Sequence, residues 1–205
     1  MAWRVFALDT LPDEPWRNGG GRTRTIAAQV REAGDPPWDW RISLATIEQN
    51  APFSAFPGVD RVSLLLGAGQ IALTAVSEPA VQMHRPGDVA AYRGDALWHA
   101  EIRRDGPPVS LLNVMTRRGV ATARLQAVRV DTTLSGDVLA VLAGEGDWRV
   151  VEPGPEAALR PDDALLLSAG HGAVRDAAPM RSIAHGRIER VSNAGWLAAV
   201  TIHLS

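Results

Sequence analysis

At 205 residues, with 21 cationic and 23 acidic side chains and a formal net charge of -2, the chain has room for one large domain or two small ones. It has no basic run with which to hold nucleic acid, and every cation is arginine, so Schiff-base, P-loop and lysine-catalysed chemistries are excluded. The absence of cysteine excludes thiol nucleophiles, disulfides and thiolate metal sites.

The opening Met-Ala-Trp-Arg-Val-Phe has no basic region ahead of an apolar stretch, and no window approaches membrane-spanning length. The sequence therefore reads as a soluble, cytoplasmic protein with no membrane partner. Its 19 glycines and 14 prolines separate short apolar runs, a pattern of many strands and tight turns with at most a turn or two of helix. The expected class is all-β.

In chain order, the first notable segment is Asn18-Gly19-Gly20-Gly21, ahead of a strand-like run over 23–30. It lacks the spacing and the lysine of nucleotide loops, which leaves a tight turn or a nest of N–H groups facing an anion. Arg17, Arg22 and Arg24 flank it. An arginine fork holds a carboxylate through two parallel hydrogen bonds, whereas an arginine in a surface ion pair contributes at most about 1 kcal/mol. Along 40–47, Trp40, Ile42 and Leu44 share one face, suited to packing, while Arg41, Ser43 and Ala45 share the other, suited to a pocket wall. Further strands are expected over 62–66, 71–76, 89–92, 109–115, 138–142, 164–167 and 196–204. In 109–115, Asn113 and Met115 lie on one face, and a buried Asn113 amide needs a partner, either a ligand or a neighbouring backbone group.

An internal repeat organises these strands. Val62 to Gly69 (VSLLLGAG) matches Leu139 to Gly146 (LAVLAGEG) at an offset of 77, and Arg85-Pro86-Gly87-Asp88 matches Arg160-Pro161-Asp162-Asp163 at an offset of 75. A strand, a glycine turn, a second strand and a proline turn, seen twice, imply two small barrels in tandem, divided as residues 1–120 and 121–205.

Four ordered motifs add a family resemblance. Trp16-Arg17-Asn18-Gly19-Gly20-Gly21-Arg22-Thr23-Arg24, Asp39-Trp40-Arg41-Ile42-Ser43-Leu44-Ala45, the segment from Pro52 to Arg61, and Leu112 to Gly119 together resemble the HutD/Ves family. Thr25 departs from it, since similar proteins often carry Glu there. The resemblance implies a double cupin, linked by name to histidine utilisation and stress, with binding or regulation as its role.

Cupins commonly place His-x-His, Glu and a further His around a metal. Setting that motif's final glycine on Gly67 puts Asp60 at the Glu and Phe56 and Ser54 at the histidines; setting the second motif on Gly87 puts Trp98 at its histidine, with His99 adjacent. In the second half Asp137, Thr133 and Asp131 take the corresponding places. The histidines, at 84, 99, 171, 185 and 203, form no cluster, so neither a metal nor another cofactor is expected.

The candidate pocket then comprises Asn18, Gly20, Thr23, Arg24, Arg41, Ser43, Ser54, Phe56, Asp60, Arg61, His99 and Asn113, with Arg61 serving a ligand or a structural ion pair and His99 a pocket or a strand end. The expected partner is a small acidic metabolite resembling formylglutamate or urocanate, bound for a regulatory purpose. The alternatives are a metal-independent hydrolase or isomerase using Asp60 and His99 as acid and base, and an interaction module presenting some of the seven tryptophans. Cupin barrels associate through sheet edges, so a homodimer is a further expectation.

Overall fold

The strands follow the alternating runs closely. The structure, a computed structural model, describes residues 2–103, 106–152, 156–168 and 184–205. The first half contains β1 (Ala2–Ala7), β2 (Glu14–Pro15), β3 (Gly21–Val30), β4 (Trp38–Ile47), β5 (Ala51–Pro52), β6 (Val59–Leu65), β7 (Ile71–Ala75), β8 (Glu78–Met83), β9 (Val89–Arg93), β10 (His99–Ile102) and β11 (Val109–Arg117). The second contains β12 (Ala121–Val128), β13 (Thr132–Gly136), β14 (Val138–Glu145), β15 (Trp148–Glu152), β16 (Ala157–Leu159), β17 (Asp163–Ser168), β18 (Ala184–Arg190) and β19 (Trp196–Leu204). The helix among the described residues is the single 3-10 turn Leu8–Thr10.

Four antiparallel sheets form two barrels. In the first, β2-β3-β4-β11-β6-β9 faces β5-β10-β7-β8; in the second, β1-β17-β14-β19-β12 faces β13-β18-β15-β16. The order β4-β11-β6-β9 recurs as β12-β19-β14-β17, and β5-β10-β7-β8 recurs as β13-β18-β15-β16. This duplication is the double cupin that the repeat implies. β1 lies within the stretch 1–120 but is hydrogen-bonded along its length to β17, so the chain begins in the second barrel's sheet before building the first barrel.

The repeated proline turns superpose in their hydrogen bonds. Gly87 (φ 88°) donates its amide to Leu65 O at 2.8 Å, and Asp162 (φ 67°) donates its amide to Ala143 O at 3.0 Å. The Asp88 carboxylate accepts from Arg85 N at 2.9 Å, and the Asp163 carboxylate from Arg160 N at 2.8 Å. The Gly-x-Gly segments are less alike, because the left-handed residue is Gly67 (φ 100°) in one and Gly146 (φ 75°) in the other.

Alternation also fixes the layers. Trp40, Ile42, Leu44, Leu64, Leu112 and Val114 pack across onto Leu125, Val138, Ala140, Leu142, Trp196, Ala198, Val200 and Ile202, so one apolar cluster joins the large sheets of the two barrels. Opposite faces of the same strands fill the interiors. Ala45, Leu65 and Leu111 meet Leu73, Met83 and Trp98 in the first, while Leu139, Val141 and Ala199 meet Trp148, Val150 and Ile188 in the second. Each such large side chain contributes about 1.5–3 kcal/mol on burial, which is what holds sheet on sheet.

Candidate functional site

The interior of the first barrel is apolar only over part of its length. On β6, Val59, Arg61, Ser63 and Leu65 are all buried and alternate with Asp60, which is exposed. Arg61 is 3% exposed and Ser63 0%. Register across the sheet sets Arg41, Met115, Arg61 and Tyr92 in one row, and Ser43, Asn113, Ser63 and Ala90 in the next, with Thr25 beside Ser43. Two polar rows thus lie on the inward face, above the apolar row of Ala45, Leu111 and Leu65.

Among the described residues no carboxylate pairs with Arg61. Its Nη2 donates to Ser54 O at 2.5 Å, its Cζ lies 5.1 Å from the Phe56 ring centroid and 5.9 Å from that of Phe53, and its buried Nε has no partner. Burial pushes its pKa down from the usual arginine value, and the Tyr92 phenol partly offsets this. The group remains a cation in a low-dielectric setting, where an anion would be held strongly.

Beside it runs a directed hydrogen-bond chain. The Ser63 hydroxyl donates to Asn113 Oδ1, so the bond of 2.9 Å between Ser63 and Tyr92 is donated by the phenol. The phenol oxygen's remaining lone pair then faces a donor-only guanidinium, and the Asn113 amide keeps its N–H groups for another acceptor. Tyr92 is further held edge-on to Trp98, with ring centroids 5.1 Å apart.

Arg41 sits differently. Its Nη2 donates to Thr25 Oγ1 at 2.6 Å and approaches Glu14 at 3.6 Å. Burial lowers its pKa, against the opposing pull of Glu14, so its charge already has an acidic neighbour.

Other expected site residues serve the frame. Asn18 donates to Pro52 O at 3.1 Å and accepts from Gly20 N at 3.0 Å, and a Cβ on Gly20 would come within 2.2 Å of Ala51 Cβ. The glycine run is therefore a tight turn packed on β5, not an anion nest. Thr23 Oγ1 accepts from Trp16 Nε1 at 2.8 Å, and Arg24, on the opposite face to Thr23, pairs with Asp13 at 2.9 Å. Ser54 is exposed and engages Arg61 through its carbonyl alone, while Phe56 supplies a wall. Asp60 faces outward to Arg118 at 3.0 Å, and His99 is exposed between buried Trp98 and Ala100. Strand parity separates these two from Arg61 and Ser63, so no acid–base pair forms between Asp60 and His99 inside the barrel.

Ser63 and Tyr92 are the site residues that reading the sequence missed. The signal was present: Ser63 follows Arg61 at the strand period, and Tyr92 is the only tyrosine in the chain. Among the described residues the second barrel has no counterpart. Taking Leu65 and Ala143 as equivalent turn acceptors, Arg61 and Ser63 correspond to Leu139 and Val141, and Asn113 to Ala199, all buried and apolar.

A metal of the kind cupins carry does not fit. The inward groups are a guanidinium, hydroxyls and an amide, a set that repels a cation, and among the described residues no three His, Asp or Glu side chains gather. Trp98, at the place of a motif histidine, is 1% exposed and donates its indole N–H to Arg93 O at 2.7 Å.

The HutD family model matches residues 8–184. This chain belongs to the HutD family. Protein Ves of Citrobacter koseri is 35% identical over 148 residues, covering 71% of this chain and 74% of that protein. The structure of HutD from Pseudomonas fluorescens SBW25, in its formate condition, is similar over 100% of both chains with a TM-score of 0.78 and 22% identity. A cupin 2 conserved barrel domain protein from Leptotrichia buccalis is similar over 98% of this chain and 96% of its own, with a TM-score of 0.55 and 11% identity, a likeness of fold. Among HutD-family features in this chain, the Pro52 to Arg61 motif carries both the buried cation and the segment that covers it.

Proposed function

We propose that this HutD-family chain binds a small carboxylate metabolite in its first barrel and serves a regulatory role in histidine utilisation. The observation that carries the reading is Arg61, 3% exposed, with its Nε unpaired and no acid beside it among the described residues. A buried cation lacking a counter-ion is costly to keep, and a carboxylate on a guanidinium makes a charge-assisted bond about twice as strong as a neutral one. Asn113, Tyr92 and Ser63 shape the same wall, so the occupant must bring acceptors. Formylglutamate and urocanate satisfy that requirement, and the family's link to histidine utilisation favours them.

Calorimetric titration of the whole chain with N-formyl-L-glutamate and with urocanate tests this. Saturable binding of at least one is expected, with a loss of roughly 2–5 kcal/mol in Arg61→Ala and a smaller loss, about 1 kcal/mol, in Asn113→Ala. Failure of the unaltered protein to bind either acid at millimolar concentration would overturn the proposal.

A further inference from the structure

The segment from Phe53 to Gly58 is a strap across Arg61. It is pinned to the barrel at both ends and, through Phe56, in between. Phe53 N donates to Trp98 O at 2.7 Å, Phe56 N donates to Gly94 O at 2.7 Å, and Gly58 N donates to Asp95 Oδ1 at 2.9 Å. The Asp95 carboxylate also takes a bond from Arg118, which reaches on to Asp60. Gly58 first, then Arg118, holds the Asp95 carboxyl far below the ordinary carboxylate range, so this pin stays charged at any pH near neutrality. Between the pins, Ser54 is tied down through its carbonyl, which accepts from Arg61 Nη2, and two phenyl rings bracket the guanidinium.

The decisive detail is which edge of the guanidinium the strap occupies. A carboxylate binds arginine in parallel fashion through two adjacent N–H groups, and Nε with Nη2 form one such edge. Here Nε is unpartnered and Nη2 is taken by Ser54 O. An anion using this edge meets a vacant donor and a neutral, weaker competitor. From this we infer that the strap over 53–58 is a ligand-displaced latch: a carboxylate arriving on the Nε–Nη2 edge evicts the Ser54 carbonyl and, with that tie gone, the strap lifts from the barrel and opens the Phe53 N–Trp98 O and Phe56 N–Gly94 O bonds to solvent. Ser54 and Pro57 are already exposed, so the released segment changes the outer surface of the barrel where a regulated partner can read it. The latch rests on the carboxylate reading above, and it adds the direction of the response: occupancy loosens this segment while a ligand ordinarily tightens what it touches.

Hydrogen–deuterium exchange, read on peptides spanning 53–58, on β6 and β11, and on β14 as the distant reference, tests the latch, with calorimetry on the same samples using N-formyl-L-glutamate. With ligand bound, exchange over 53–58 is expected to rise roughly tenfold while β6 and β11 slow or hold. Arg61→Met, with no ligand added, removes the tie and is expected to loosen 53–58 by a similar factor while β14 exchange holds or slows. Phe56→Leu, which trims one bracket and spares the barrel interior, is expected to loosen the strap by a smaller factor. Heat of binding accompanied by unchanged or slower exchange over 53–58 overturns the latch and leaves carboxylate binding standing. No heat and no exchange change with N-formyl-L-glutamate or, in a parallel titration, with urocanate overturns the carboxylate reading, whereas an Arg61→Met strap that exchanges as slowly as the unaltered one overturns the tie by itself.

Discussion

Arg61 stands where an ordinary packing argument would put a leucine or methionine. Its neighbour Met115 and the equivalent Leu139 in the second barrel show that the fold accommodates an apolar group at such a position. Taking a guanidinium out of water costs several kcal/mol, and the compensation available is one carbonyl, two aromatic faces and a phenol. Arg61→Met is therefore expected to leave the stability of the ligand-free protein unchanged or to raise it by up to about 2 kcal/mol, while abolishing carboxylate binding. Chemical denaturation read beside calorimetry decides it, and a loss of more than about 2 kcal/mol would mark Arg61 as structural. At this scale the sequence was legible where period-two alternation applies: Arg41, Ser43 and Asn113 face inward as that rule requires. It was illegible around 54–60, where the cupin metal motif finds Ser54, Phe56 and Asp60 in place of its ligands. That alignment brought Asp60 toward the pocket, but alternation from Arg61 turns it out to Arg118.

The repeat is the feature of the elements that could be read in advance, since Arg-Pro-Gly-Asp and Arg-Pro-Asp-Asp build the same turn around Gly87 and Asp162. Their backbones agree in handedness, φ 88° and 67°, yet only one has the residue suited to it. A left-handed backbone is a strained state for a side chain and a free one for glycine. Asp162→Gly is thus expected to stabilise the protein by about 0.5–1 kcal/mol, and Gly87→Ala to destabilise it by about 1–2 kcal/mol. A Cβ at Gly87 would also stand 3.0 Å from Ala127 Cβ, which adds to the second effect. Paired thermal melts measure both, and equal signs for the two substitutions would contradict the equivalence of the turns. The pairing of β1 with β17 had no comparable signal. Phe6 faces Ala164 across the ladder, and contacts between residues so distant in sequence leave no local spacing to recognise.

For the whole molecule, the question is whether two barrels mean two folding units. A tandem repeat divided near residue 120 suggests that they separate, but the structure joins them twice. β1 pairs with the second barrel's sheet, and the cluster containing Leu112, Val114, Ala140, Leu142, Val200 and Ile202 is built from both large sheets. Leu112 is 1% exposed and Ile202 0%, so neither sheet keeps its outer face dry alone. Separating the barrels would expose that cluster to water at about 25 cal/mol for each Å² of apolar surface, which favours one cooperative transition. Leu112→Ala, a truncation at this junction, is expected to cost about 2–5 kcal/mol. The cost should appear equally in both halves: slow exchange of β6 amides in the first barrel and of β14 amides in the second should accelerate by the same factor. Calorimetry should show a single endotherm before and after the substitution. If β6 accelerates while β14 keeps its protection, or if the endotherm splits, the barrels unfold independently and the shared cluster is only a docking surface. Equal acceleration would instead mean that the apolar second barrel, which carries no counterpart of Arg61, stabilises the first across the shared cluster and lets it keep an unpaired cation in its interior.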